Sequence, residues 1–299
     1  KAGTDLLAGE SELYELPTEP FGGLEQLCWS PDSRFIAYSC RKLAGKKYAF
    51  STNTEIYIYN VETAETGVID MKGGYDTDPV WSPDGSKICW ISMERDGYEA
   101  DKQRLMIASV AREGSMPAVT DIKDITADFK YNVSGPVWSD DSQRIYFASL
   151  AEGLQGIFEA VADGEGWKIE RLTGEDMWYD FGSPFHIEVR EDGSRCLYTT
   201  WCSMDFPTEL VAVDLRTDRA QYTQITKENE HLLSQLAEHK TEARYVKTVD
   251  GKDMLTWVLY PPQFDPANEY PAITICLGGP QGTLSQGWSY RWNYRLMAS

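Results

Sequence analysis

The chain has 299 residues, 42% hydrophobic and 25% charged, which describes a globular protein of one large or two ordinary domains. Its formal net charge of −19 disfavours nucleic acid and anionic membrane surfaces as partners and favours cationic ones, the ammonium end of a peptide among them. No stretch approaches the ~18 apolar residues of a membrane span, and no cysteine pair, glycine loop or acidic loop has the spacing of a zinc, nucleotide or calcium site, so no cofactor and no metal is expected.

The chain starts at Lys1 without a signal-peptide pattern and stops at Ser299 without a closing segment; the expectation is a piece of something longer at both ends. Asp5-Leu6-Leu7 reads as an outer strand preceding the first repeat. Three segments then repeat: CWSPDSRFIAYSC (28–40), VWSPDGSKICWIS (80–92) and VWSDDSQRIYFAS (137–149). A fourth, VREDGSRCLYTT (189–200), has Val189 in place of tryptophan. Trp29, Trp81, Trp138 and Val189 set a period of 51 to 57 residues, which belongs to propellers and arrays.

Each repeat has one grammar. A Pro-Asp-Gly type turn presets its own geometry. A β-rich strand follows at 35–38, 88–91, 145–148 and 196–199. A third lies at 56–59, 105–107, 157–158 and 210–213, and a short outer one at Val68-Ile69, Ile125-Thr126, Leu172-Thr173 and Ile225-Thr226. Four antiparallel strands per repeat make one propeller blade, and at least four blades fit in residues 1–226. The many Trp and Tyr side chains are expected to fill the space between blades. The second-to-third-strand connections are long in the first two repeats, 40–55 and 92–104, and leave from one face.

After Thr226 the pattern changes. Residues 228–238 have helical composition, and 245–260 read as a hairpin turning at Asp250-Gly251. Pro271 to Leu277 is a short, wholly apolar strand running into Gly278-Gly279-Pro280, with a helix at roughly 287–298. Hairpin, buried strand, glycine turn and helix open an α/β domain. The fold class is therefore mainly β: a β-propeller over 1–226, followed by the start of an α/β-hydrolase domain over 227–299.

QGWSYR (286–291) nearly spells G-x-S-x-G, the nucleophile elbow of serine hydrolases. Arg291 stands where the elbow needs glycine, and a polar loop rather than a strand precedes Gly287. No Asp, Glu or His follows Ser289, while His186, His231 and His239 all lie upstream. Ser289 is read as structural, and no catalytic residue is assigned in this chain. Cys28, Cys40, Cys89, Cys196 and Cys276 sit in apolar runs as buried thiols; a Cys28–Cys40 or Cys196–Cys202 bridge stays open.

The repeated WSPDG blades, the stretch DGKDMLTWVLYPP (250–262) and FDPANEYPAITICLGGPQG (264–282) resemble the prolyl oligopeptidase family of serine peptidases. Residues 74–101 and 279–297 are similar to its bacterial dipeptidyl-peptidase V-like and acylaminoacyl-peptidase-like members. The resemblance implies a propeller that gates an α/β-hydrolase domain and admits short peptides. It also implies a Ser-Asp-His triad beyond Ser299 and a periplasmic or secreted protein, with the cytoplasm left open. The turn Gly278-Gly279-Pro280 then becomes an oxyanion-donor candidate, Gly279 N–H first. Relatives carry Tyr or His before the glycines; here that position is Leu277, so no side-chain donor comes from it. The loop 93–101 becomes a candidate for holding a substrate ammonium group, through Glu94, Arg95, Asp96, Tyr98 and Glu99 with Asp101 beside them. A solvated charged loop is the competing reading. Expected partners are a short peptide and the remainder of the same hydrolase domain; oligomeric state, a homo-oligomer included, is open. The alternative function is a non-catalytic propeller that binds protein or cell-wall fragments.

Overall fold

The computed structural model describes residues 3, 5–18, 22–164, 166–174, 177–216, 219–278 and 282–299. The chain divides into two compact units, Lys1–Ser149 with Phe158–Arg171, and Leu150–Ile157 with Leu172–Ser299.

The first sheet runs β1 (Leu27–Trp29), β2 (Phe35–Cys40), β3 (Glu55–Asn60) and β4 (Thr66–Ile69), with helix α1 (Lys46–Phe50) in its long connection. The second is β5 (Tyr75–Trp81), β6 (Lys87–Met93), β7 (Arg104–Ala111) and β8 (Ala118–Asp124). The third is β9 (Ser134–Trp138), β10 (Arg144–Ala151), β11 (Leu154–Asp163) and β12 (Gly166–Arg171). In the fourth, β13 (Asp180–Phe181) and β14 (His186–Val189) both pair with β15 (Arg195–Ser203), which leads to β16 (Phe206–Asp214) and β17 (Gln221–Gln224). Each sheet is an antiparallel up-and-down meander, and the protein is a run of β-propeller blades.

The turns form because a serine and an aspartate side chain close a local circuit with the main chain of the strand that follows. Ser30 Oγ donates to Asp32 at 2.7 Å and accepts the Phe35 N–H at 2.9 Å, while the Ser30 N–H donates to the Phe35 carbonyl at 2.9 Å. Ser82, Asp84 and Lys87 repeat those bonds at 2.6, 2.9 and 2.9 Å, and Ser139, Asp141 and Arg144 at 2.5, 3.0 and 2.9 Å. Desolvation opposes ionisation of Asp84, yet the Ser82 hydroxyl, the Ser86 N–H and hydroxyl and the Lys87 charge hold its carboxyl down at about 2. The fourth repeat lacks the serine: Arg190 N–H closes on Ser194 O at 2.9 Å, and Asp192 still accepts the Ser194 N–H at 2.8 Å.

The first strands of the repeats break at one place. β5 and β9 slip register beside Asp78 (φ 53°) and Gly135 (φ 55°), and β13 and β14 are parted by Gly182 to Phe185. A proline stands at each break, at 79, 136 and 184. Proline has no N–H to give the ladder, so the pairing must skip there.

The outer strands end earlier than the apolar pairs suggest. Ile125-Thr126, Leu172-Thr173 and Ile225-Thr226 lie just past β8, β12 and β17 and act as end clasps. The N–H groups of Leu105, Ile157 and Leu210 donate to Thr126, Thr173 and Thr226 Oγ1 at 2.9, 3.1 and 2.8 Å. The carbonyls of the same three residues accept the N–H groups of Ile125, Leu172 and Ile225 at 3.1, 2.8 and 2.8 Å.

The core lies between sheets. Phe35, Ile56, Ile58 and Ile69 of the first pack with Trp81, Ile88, Trp90 and Met106 of the second, and the Phe35 and Trp81 rings stack at 6.4 Å. Burying one such side chain contributes about 1.5–3 kcal/mol. Trp138 donates its indole N–H to Val80 O at 3.1 Å, so it packs back on the preceding blade as Trp81 does. Trp29 stays 56% exposed; among the described residues no sheet precedes β1. Asp5-Leu6-Leu7 is a turn rather than a strand, with both leucines packed against the buried cluster of Ile36, Tyr38, Cys40 and Tyr59. All six cysteines are free, so neither of the two bridges left open forms.

In the second unit, α2 covers only Glu230–Leu233 of the expected helix. The hairpin is β18 (Lys240–Lys247) with β19 (Asp253–Tyr260), turning at Asp250-Gly251 as expected. Residues 271–278 form no strand, and Ile273, Ile275, Leu277 and Cys276 are exposed. A strand needs a neighbour for its N–H and C=O groups, and none pairs with this run among the described residues. The helix expected at 287–298 is the single turn α3 (Tyr294–Met297), with the Asn293 side chain accepting the Leu296 N–H at 2.9 Å. Among the described residues no helix is long and apolar enough to cross a membrane.

Candidate functional site

The loop between β6 and β7 spends most of its charge on itself and on the neighbouring connection. Arg95 grips Asp101 with Nε and Nη2 at 3.1 and 2.9 Å, and its own N–H adds a third bond at 3.0 Å. That fork holds the Asp101 carboxyl down at about 2. The guanidinium also lies 4.1 Å from the centre of the Tyr98 ring. Asp96 accepts from Ser51 Oγ at 2.8 and 2.9 Å, Thr52 N–H at 2.7 Å and Asn53 N–H at 3.1 Å. Against a desolvation cost, these donors keep its carboxyl below the usual range. Gly97 N–H completes the junction on Thr52 Oγ1 at 2.8 Å. The two long connections are thus fastened to one another.

Two carboxylates remain. Glu94 is 75% exposed and reaches Arg104 at 3.7 Å. Glu99 is exposed and has no hydrogen bond or ion pair among the described residues. Arg95 and Tyr98 are engaged with each other, and Asp96 acts as a fastener.

Under the loop sits a residue that the motif reading does not single out. Asp76, fully buried on β5, accepts the Trp90 indole N–H at 2.9 Å, and its main chain is bracketed by Thr54. Burial pushes its carboxyl up to about 7; Ser92, Trp90 and the more distant Arg104 pull it down, and Glu55 pushes it further up. Arg104 Nη2 bonds Ser92 Oγ at 3.1 Å, which links this buried acid to Glu94. An acid inside an apolar strand is the available signal; by spacing alone, Tyr75-Asp-Thr-Asp-Pro79 only fails as a calcium loop.

Gly278 is exposed, and a Cβ built there meets nothing within 4 Å. Gly279 lies outside the described residues, as do Pro280 and Gln281. Ser289 Oγ accepts the Trp292 N–H at 2.9 Å, a turn-closing role, and no histidine bonds to it among the described residues. His239 faces Tyr260 O at 3.2 Å, and His186 packs on Tyr198 with centroids 5.5 Å apart. Among the described residues no cluster of three metal-ligating side chains occurs. A cavity of about 290 Å³ near the start of the chain, lined by Leu6, Leu7, Tyr14 and Leu16 among others, includes none of the candidate residues.

No protein-family model matches the chain. It is 41% identical over 298 residues to dipeptidyl-peptidase 5 of Porphyromonas gingivalis, covering 99% of this chain and 40% of that protein. Dipeptidyl-peptidase 5 of Aspergillus fumigatus is 26% identical over 95% of this chain and 39% of its own length. The chain thus spans about 40% of the length of the curated relatives it matches. Oligopeptidase B from Leishmania major superposes with a TM-score of 0.52 at 14% identity, over 82% of this chain and 33% of that one, a likeness of fold alone. The fold class is that of the β-propellers. Along nearly its whole length the chain is similar to proteins named dipeptidyl-peptidase 5.

Proposed function

We propose that this chain is the propeller-bearing part of a serine exopeptidase that removes short N-terminal units from peptides. The observation that carries the reading is the 41% identity to a dipeptidyl-peptidase along 99% of the chain. Acyl transfer would run through a Ser-Asp-His triad supplied by the rest of the whole protein. Residues 227–299 would open its α/β-hydrolase domain, with the exposed apolar run 271–277 taking its strand partners from that remainder. The propeller gates entry, and the periplasmic or secreted location belongs to the same proposal.

Two pieces of the chemistry fall on this chain. An exopeptidase that counts from the amino terminus needs a carboxylate for the substrate ammonium group. Glu99, with Glu94 beside it in sequence, is the reading the geometry supports, because Asp96 and Asp101 are already taken by Ser51 to Asn53 and by Arg95. The Gly279 and Gly278 N–H groups are the oxyanion donors, stabilising the charge that forms on the attacked carbonyl oxygen.

The test is made on the whole protein. It should take up an active-site fluorophosphonate and release nitroaniline from dipeptidyl nitroanilides, and the 299-residue chain should do neither. Glu99→Gln should raise KM about tenfold for free-amino substrates, one charge-assisted bond being at stake, and leave N-acylated ones unchanged. A whole protein without labelling or turnover would point instead to a non-catalytic propeller.

A further inference from the structure

At the connection end of the first two sheets, Arg95 grips Asp101 and Arg104 reaches Glu94. A third arginine there is differently placed. Arg41 directly follows β2, at the start of the first long connection, and is half-buried. Its Nη1 donates to Tyr48 O at 3.4 Å, and its guanidinium carbon lies 4.6 Å from the centre of the Tyr48 ring. Those contacts hold the group in place and leave its charge unanswered. Among the described residues no carboxylate pairs with it and Nη2 has no acceptor; Nε is shut off from water and has none either.

The chain does not lack acid, with 47 acidic residues against 28 basic ones. Two carboxylates stand in the same network, and both are engaged elsewhere. Glu10 takes Lys42, the next residue along, and Glu15 accepts the Tyr48 hydroxyl at 2.8 Å. On β5, half-buried Tyr75 is bridged to Thr54, where the first connection ends. Burial and the Asp78 charge push the Tyr75 hydroxyl's pKa up, while Thr77 and the Arg41 charge pull it down, so the guanidinium stands within electrostatic reach of that ring. The first connection is in turn fastened to the Glu99 loop through Asp96 and Ser51 to Asn53.

A polar group closed off from water without a partner costs free energy. The Nε–Nη2 edge of a guanidinium matches the two oxygens of a carboxylate. Arg95 uses that edge on Asp101; in Arg41 the same edge has no acceptor among the described residues.

We propose that Arg41 binds a carboxylate of a short peptide, its C-terminus or an acidic side chain, at the same end of the sheets as Glu99. The peptide nature of the ligand rests on the peptidase reading; the carboxylate is read from Arg41 itself. A short peptide carries an ammonium group at one end and a carboxylate at the other, and Glu99 and Arg41 answer one each.

The experiment uses the whole protein and three tetrapeptides of otherwise identical sequence: a free acid, its C-terminal amide, and that amide with glutamate at the third residue. In the wild type a carboxylate-bearing peptide should show a KM about tenfold below that of the plain amide, one charge-assisted pair being at stake. Whichever peptide carries the gain, free acid or glutamate amide, names the source of the carboxylate. Arg41→Gln should bring the ratio to within about twofold of one. The ratio is the readout because a general defect of folding moves both peptides together. Should Arg41→Gln not fold, Arg41→Met, which keeps the apolar stem, is read in its place. A wild-type ratio near one for both carboxylate peptides, or a ratio that survives the loss of the guanidinium, overturns the proposal. A whole protein without turnover fails the peptidase reading. The same peptides titrated by calorimetry then give the ratio as Kd: a ratio lost in Arg41→Gln upholds this inference alone, and a wild-type ratio near one fails both.

Discussion

Between Leu27 and Gln224 the peptide groups of each sheet find partners within about 50 residues, whereas the chain from Pro271 to Gly278 finds none among the described residues. The sheets are closed locally at both ends, by the Ser-Asp circuits at the turns and the threonine clasps past the outer strands. The apolar run has the side chains of a buried strand and the surroundings of a loop, with Ile273 70% exposed. A repeat carries its own partners. A strand of a parallel sheet does not, because its neighbours lie a crossover away.

Substitutions can break or sharpen that contrast. The largest effect is expected at Trp90, fully buried between the first two sheets: Trp90→Ala should cost about 3–5 kcal/mol in urea unfolding and leave Asp76 without its indole donor. Next comes Gly153, at φ 82°, where a Cβ would sit 2.2 Å from Leu255 Cδ2. Gly153→Ala should cost about 2–3 kcal/mol, combining left-handed strain with overpacking, and its amide-exchange effects should gather in the second unit around the hairpin.

Asp76→Asn should act with the opposite sign. The unfolded chain releases this proton near the ordinary value of 3.8 and the folded one near 7, so the native state binds more protons between them and stability falls as pH rises through that window. The asparagine substitution would remove the slope and stabilise the protein at pH 8, read from melts at pH 4, 6 and 8; a slope equal to wild type would contradict the buried charge. Ser82→Ala, which opens one turn circuit, should cost about 1 kcal/mol. The smallest effect belongs to the unpaired run: Ile273→Ser should change the 299-residue chain by less than about 0.5 kcal/mol. In the whole protein the same substitution should cost about 2–4 kcal/mol, if the run is buried there as we propose.

The legible parts were those whose cause is local. Ser-Pro-Asp-Gly names its own bonds, so turns and strand order could be read directly. Thr126, Thr173 and Thr226 look like strand residues by type, yet each spends its hydroxyl on the neighbouring strand and ends its own. The breaks at Pro79, Pro136 and Pro184 are marked in the sequence itself, by a residue with no N–H to give. In the 93–101 loop the carboxylates looked equivalent by type. Only the fold shows that Asp101 faces Arg95 and that Asp96 faces the connection 51–53, more than 40 residues earlier. Asp180 carries no local signal, since its partners Gln155 and Ser285 lie 25 residues before it and 105 after.

Cys276 gives the bare run a chemical handle. Its thiol is exposed in the midst of residues 271–277, while Cys40, Cys89 and Cys196 are buried. A maleimide that reacts with Cys276 therefore acts as a gauge of coverage. Quick alkylation marks an uncovered run and slow alkylation a covered one, so one reagent could follow the covering of residues 271–277 in real time.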